Sequence, residues 1–170
     1  MNLSFKTKWP NGTPTYFVEK IWAGLINDGA SINDLALQKI AAPGNLHKCL
    51  PSIYAVNIYP LKIHTVREDK TGRWKAGNKI HFFINPRTKD MYRFAPVIPC
   101  ISTQDIFMTN TCDGFEVSVD KSYLYYNEIE MLAALDGFDS SAEFYNYFFP
   151  KNCKHDEWSG KIIHWTNFKY

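Results

Sequence analysis

The densest run of chemistry-bearing side chains is Lys62-Ile63-His64-Thr65-Val66-Arg67-Glu68. Arg offers a planar fork for phosphate or carboxylate, Lys adds a mobile point charge, and a Thr hydroxyl can donate to the same oxygens. On an extended strand Lys62 and His64 share one face, while Ile63, Thr65 and Arg67 share the other. Lys62 therefore joins Thr65 and Arg67 on one anion only if it sits on a loop leaving Pro60. The same run also reads as a strand with a solvated polar face, its Ile63 and Val66 entering the core. Arg73-Trp74-Lys75-Ala76-Gly77 sets a Trp between two cations in a turn. A ring beside cations suits a stacked base with a nearby phosphate; a Trp that closes the core between solvated neighbours has the same pattern. Arg87-Thr88 extends the basic set, or finishes the turn begun at Pro86.

Other chemistries find little footing. His47, His64, His81, His155 and His164 are scattered, with neither His-x-x-x-His spacing nor a two-His-one-carboxylate group. His81 and His164 fall in strand-like runs and read as packed histidines, whereas His64 lies within the basic cluster. Cys49, Cys100, Cys112 and Cys153 form no Cys-x-x-Cys pair, so no zinc site is expected. Cys153 and His155 are neighbours, but two ligands do not make a site. Four cysteines in 170 residues are not a disulfide framework, and free thiols are expected. The chain has no Gly-x-Ser-x-Gly elbow, phosphate-binding loop or dinucleotide fingerprint, and no metal or cofactor is expected.

Charge and composition bound the partners. The 170 residues are 45% hydrophobic and 16% aromatic, with 9 Gly and 9 Pro, which excludes disordered and collagen-like chains. Formal net charge is only +2, yet it is unevenly spread. Residues 61–93 hold nine Lys and Arg against three acids, while 105–143 hold nine Asp and Glu against Lys121 alone. Such a field can draw a polyanion to one face of a nearly neutral molecule, or its charges can pair across the fold. The first residues, MNLSFKTKWP, lack the apolar run of a signal peptide, and no stretch approaches the ~20 apolar residues of a membrane span. Cytoplasm is the expected compartment.

The elements that must position these residues follow from periodicity. Leu3–Trp9 alternates as a half-buried strand, and Thr13-Pro14 is read as cap and first turn of a helix through Leu25 or Ile26. A second helix is expected over Ile32–Ala41, then an irregular stretch with three prolines over 43–60. Strands are expected at 61–67, 79–84, 93–106 (bent or bulged at Pro96 and Pro99), 115–120 and 161–166, with Cys112-Asp113-Gly114 opening a hairpin. Helices are expected from Asn127 to Leu135 and from Asp139 or Ser140 to Phe149. Strands and helices do not alternate as parallel βαβ units would. This predicts one α+β domain over 1–170, built on a small, mostly antiparallel barrel with flanking helices.

The Lys62-Ile63-His64-Thr65-Val66-Arg67 run resembles the Lys-x-x-Thr-x-Arg core of ASCH domains, a branch of the PUA-like superfamily. Trp74-Lys75-Ala76-Gly77-Asn78-Lys79-Ile80 is similar to that family's basic turn before a barrel strand. Leu132 through Phe148 resembles its helical insertion, and Gly160–Thr166 its returning last strand. The likeness covers Leu3–Trp9 and then Pro60 onward, leaving 27–59 as an insertion. It implies a cleft for RNA or a nucleotide-like ligand lined by the segment of Lys62, His64, Thr65 and Arg67; the basic face of 61–93 would add Arg73, Lys75 and Arg87 along a phosphate track and Trp74 as a stacking ring. Some family members resemble amidohydrolases of acylated pyrimidine nucleosides; that alternative implies catalytic Lys62 and Thr65, with Glu68 and Asp105 as the nearest acids and Glu68 taken as the third catalytic residue. The chain departs from the pattern twice: Pro60 stands where the family has Gly, and Phe94–Cys100 offers no carboxylate.

Overall fold

The computed structural model describes residues 1–112 and 114–170; Asp113, expected in the hairpin turn, lies outside the described residues. The fold is α+β, and the chain divides into two compact units, each assembled from two segments: 1–62 with 78–99, and 63–77 with 100–170.

The first unit is organised around β3 (Lys79–Ile84). It pairs in parallel with β1 (Asn2–Ser4) and antiparallel with both β4 (Tyr92–Arg93) and β5 (Ile98–Pro99). Alternation places Ile80, Phe82 and Ile84 inward, all three buried. Phe82 stacks on Phe5 at 6.0 Å between ring centroids, and Phe94 meets both rings edge-on or tilted. Helix α1 (Phe17–Asn27) buries Phe17, Ile21, Trp22 and Leu25, and the Trp22 indole donates to the Phe94 carbonyl at 3.0 Å. It starts later than Thr13-Pro14 suggests. Pro14 instead forms a bridge back to Lys8, and Tyr16 enters the helix in the left-handed region at φ 54°. Helix α2 (Ile32–Ala41) keeps its expected bounds, with the Ser31 hydroxyl accepting from Asn33 N–H at 3.1 Å. The following stretch holds 3-10 turns at Gly44–Cys49 and Val56–Ile58, and Lys39 Nζ donates to the Leu50 and Pro51 carbonyls, 3.0 Å each.

The second unit is a five-stranded sheet in the order β2-β9-β6-β7-β8. Its strands are β2 (His64–Arg67), β6 (Ser102–Thr111), β7 (Gly114–Val119), β8 (Ser122–Tyr123) and β9 (Glu157–His164). Every pairing is antiparallel. The long strand expected over 93–106 is divided into β4, β5 and the start of β6, because Pro96 and Pro99 cannot donate to a continuous ladder. Helix α4 (Ser141–Phe148) lies on one face, where Phe148 meets Trp158 at 4.6 Å and Phe115 meets Tyr145 at 5.1 Å. Helix α3 (Tyr126–Leu135) packs against α4, its Glu130 accepting from Ser141 N–H at 3.0 Å. The sheet pairings among the described residues form open sheets and do not close a barrel. Among the described residues no helix is long and apolar enough to cross a membrane.

Candidate functional site

The Lys-x-x-Thr-x-Arg run crosses from the first unit into the second between Lys62 and Ile63. Lys62 belongs to the first unit and is 1% exposed. Its backbone N–H donates to the Lys20 carbonyl at 2.9 Å, and its ammonium lies 5.1 Å from the Phe17 ring centroid and 5.6 Å from that of Phe5. Thr65 and Arg67 belong to the second unit, on one face of β2; Thr65 is buried and Arg67 half-buried. Arg87 stands exposed in the first unit, in the left-handed region at φ 63°.

Beyond β2 the chain makes a loop, residues 68–78, pinned by one side chain. The Asp69 carboxylate accepts from the backbone N–H of Arg73 at 3.0 Å and of Trp74 at 2.8 Å. Trp74 is driven inward, 5% exposed, so its ring is an anchor and not a surface platform. With the anchor inside and the backbone held, the flanking Arg73 and Lys75 point to solvent. Glu68 and Lys70 form an exposed ion pair at 3.1 Å.

The face of the sheet away from α4 carries a groove of about 450 Å³. Register builds it row by row. Arg67 of β2, Lys161 of β9 and Asp105 of β6 lie side by side, and the Lys161 ammonium meets the Asp105 carboxylate at 2.6 Å. In the next row Phe107 of β6 stands between Ser159 of β9 and Ser118 of β7. Its neighbours in sequence, Ile106 and Met108, are buried on the opposite face, whereas Phe107 is 42% exposed. Glu68, Lys70 and Lys121 complete the rim.

The inner face holds a second polar row, in which His64, His164 and Ser102 are register neighbours on three adjacent strands. Each is buried. His64 Nε2 lies 2.8 Å from the Tyr170 hydroxyl, and the two imidazoles are 5.3 Å apart between centroids. Tyr170 is fixed by Gln104, whose Oε1 accepts from its N–H at 2.9 Å and whose amide donates to its carbonyl at 3.1 Å. Burial, and secondarily Lys169, pull the His164 pKa down to about 4, with Asp120 opposing. Burial also raises that of the Tyr170 phenol, assisted by Asp136. Among the described residues no three His, Cys, Asp or Glu side chains converge as a metal site.

Comparison of the chain with protein-family models, with curated proteins and with solved structures finds no match. The site therefore rests on its own chemistry. Of the expected ligand residues, Arg67, Arg73 and Lys75 share the second unit and reach solvent at least in part; Lys62, His64, Thr65 and Trp74 are interior. Glu68, the expected acid of the hydrolase alternative, is engaged at the surface with Lys70, while Thr65 is 1% exposed. Sequence reading missed Phe107, Lys121 and Ser159, and named Asp105 only as an acid of the hydrolase alternative. The signal for Phe107 was available: it shares parity with Asp105 and Thr109, an aromatic residue in the polar register of an alternating strand.

Proposed function

We propose that the protein binds RNA or a nucleotide-like ligand on the open sheet face of its second unit and the basic loop beside it. The observation that carries this reading is the loop pinned by Asp69, which holds Arg73 and Lys75 in solvent, with Lys70 on the rim of a groove of about 450 Å³. Cations held by an ordered backbone lose less freedom on meeting phosphate than cations on a mobile tail. An exposed ring on an antiparallel sheet is the platform on which single-stranded bases stack. Kinship with ASCH domains, and the PUA-like barrel it implies, belong to the same proposal. The α+β content, the largely antiparallel pairing and the Lys-x-x-Thr-x-Arg run leading into β2 support it. A cytoplasmic setting is part of the same proposal, and the four free cysteines suit a reducing compartment.

Fluorescence anisotropy with a short labelled single-stranded RNA tests the reading. Replacing Lys70, Arg73 and Lys75 together by Ala should weaken binding about tenfold or more at low salt, and binding should fall as salt rises. Affinity untouched by both changes would exclude this face as the binding surface.

A further inference from the structure

We infer that the groove over Phe107 is a subsite for a single nucleotide whose base carries an exocyclic amine, with the base on the Phe107 ring and the phosphate toward Lys70 and Lys121. The inference rests on the reading above and narrows its ligand.

Phe107 is the aromatic residue that the sheet leaves open in its middle strand. Its cross-strand neighbours are Ser118 and Ser159, which are too small to cover the ring and bring hydroxyls beside it. A planar base laid on the ring gains the stacking that any nucleobase provides. The groove's volume falls within the ~300–1,000 Å³ of small-ligand sites, which suits one nucleotide. Its edge chemistry then selects the base. Asp105 meets one ammonium through Oδ1, and Glu68 meets one through Oε1, so both carboxylates retain acceptor capacity facing solvent. A carboxylate accepts from an exocyclic amine such as cytosine N4 and repels the two carbonyl oxygens of uracil. Lys121, in the left-handed region at φ 73° after β7, makes no ion pair among the described residues. Lys70 gives Glu68 one of its three donors and keeps the others for phosphate. Three carboxylates and two ammonium groups on the lining complement a small ligand of mixed polarity better than a bare polyanion.

Calorimetric or NMR titration of the whole chain with cytidine 5′-monophosphate, uridine 5′-monophosphate and inorganic phosphate decides the matter. The cytidine nucleotide should bind about tenfold tighter than the uridine nucleotide. Phe107→Ala should cost about tenfold in cytidine nucleotide affinity, the weight of one base–aromatic stack, and leave phosphate binding unchanged. Phe107→Tyr should restore the affinity, and Asp105→Asn should narrow the preference for cytidine over uridine. Because Phe107 is 42% exposed, its truncation opens no core cavity, and circular dichroism should show an unaltered fold. Equal affinity of the wild type and Phe107→Ala for the cytidine nucleotide would overturn the inference. So would indifference to the base, or a dimer in the wild type that Phe107→Ala dissolves, which would make a second copy the occupant. If the salt-sensitive RNA binding persists through any of these outcomes, the subsite alone falls. If neither RNA nor nucleotide binds, both readings fall.

Discussion

The imidazole of His164 lies wholly inside the second unit, with no hydrogen-bond partner for either ring nitrogen among the described residues, beside His64, Tyr170 and Ser102. Burial, with Lys169 adding to it against Asp120, holds its pKa near 4, from an ordinary value of 6.5. The unfolded chain therefore binds more protons than the folded one between these values. The contribution is intact above pH 6.5 and is lost as pH falls toward 4, about 3 kcal/mol over the window. Urea unfolding at neutral pH and near pH 4.5 should show a drop in midpoint that His164→Phe reduces; an identical drop in both proteins would place the acid sensitivity elsewhere. Gly160 is a second residue whose identity the packing dictates. A Cβ there would fall inside van der Waals contact of the Arg67 carbonyl and of the Trp158 ring, and backbone cannot yield as a flexible side chain can. Gly160→Ala should cost about 1–3 kcal/mol in chemical denaturation and shift the amide resonances of Arg67 and Trp158. Unchanged stability would mean that β2 can move away from β9 at little cost.

At the scale of elements, the loop 68–78 depends on Asp69 more than on its own length. Asp69→Ala releases the N–H groups of Arg73 and Trp74 together, and should lower stability by about 1–2 kcal/mol. Hydrogen exchange across residues 70–76 should speed up, and RNA affinity should fall with it even though no cation is removed. Retained protection in the variant would show that buried Trp74 holds the loop alone. How far such elements can be read from sequence depends on whether their cause is local. The bounds of α2 follow from a Ser31 cap and helical spacing, those of β3 from strict alternation, and the start of α4 from the Ser140 hydroxyl, which accepts from Glu143 N–H at 3.1 Å. Residues 93–106 were less legible, because prolines announce an interruption without saying where pairing resumes. The site was least legible. The pattern at 62–68 shows which residues can bind an anion, but burial of Lys62, His64 and Thr65 is set by partners distant in sequence: Phe17 and Phe5, Tyr170 and His164, and Ile163. Phe107 became visible only when the register of β6 against β7 and β9 fixed which face it shares with Asp105.

Across the whole molecule, the near neutrality of +2 divides in a way that limits how any nucleic acid can bind. The first unit, residues 1–62 and 78–99, holds ten Lys and Arg against four Asp and Glu, a formal +6. The second, residues 63–77 and 100–170, holds nine against thirteen, a formal −4. The basic run at 61–93 is thus shared between units, and the groove stands in the acidic one. A long strand drawn mainly by bulk charge would favour the first unit, whereas a ligand held at the groove meets Lys70, Arg73, Lys75 and Lys121 as the fully exposed cations of the loop and rim among the described residues, Arg67 being half-buried and Lys161 paired with Asp105. Counterion release scales at ~0.7 per neutralised phosphate for single strands, so a plot of log affinity against log salt should have a slope no steeper than about −3. Replacing Lys70, Arg73 and Lys75 by Ala should flatten that slope by about 2. A slope of roughly −6 that this triple replacement leaves unchanged would require the cations of the first unit, Arg87 and Lys89 among them, and would move the RNA off the groove. A shallow slope that flattens on replacement assigns the phosphate contacts to the loop that Asp69 holds in place.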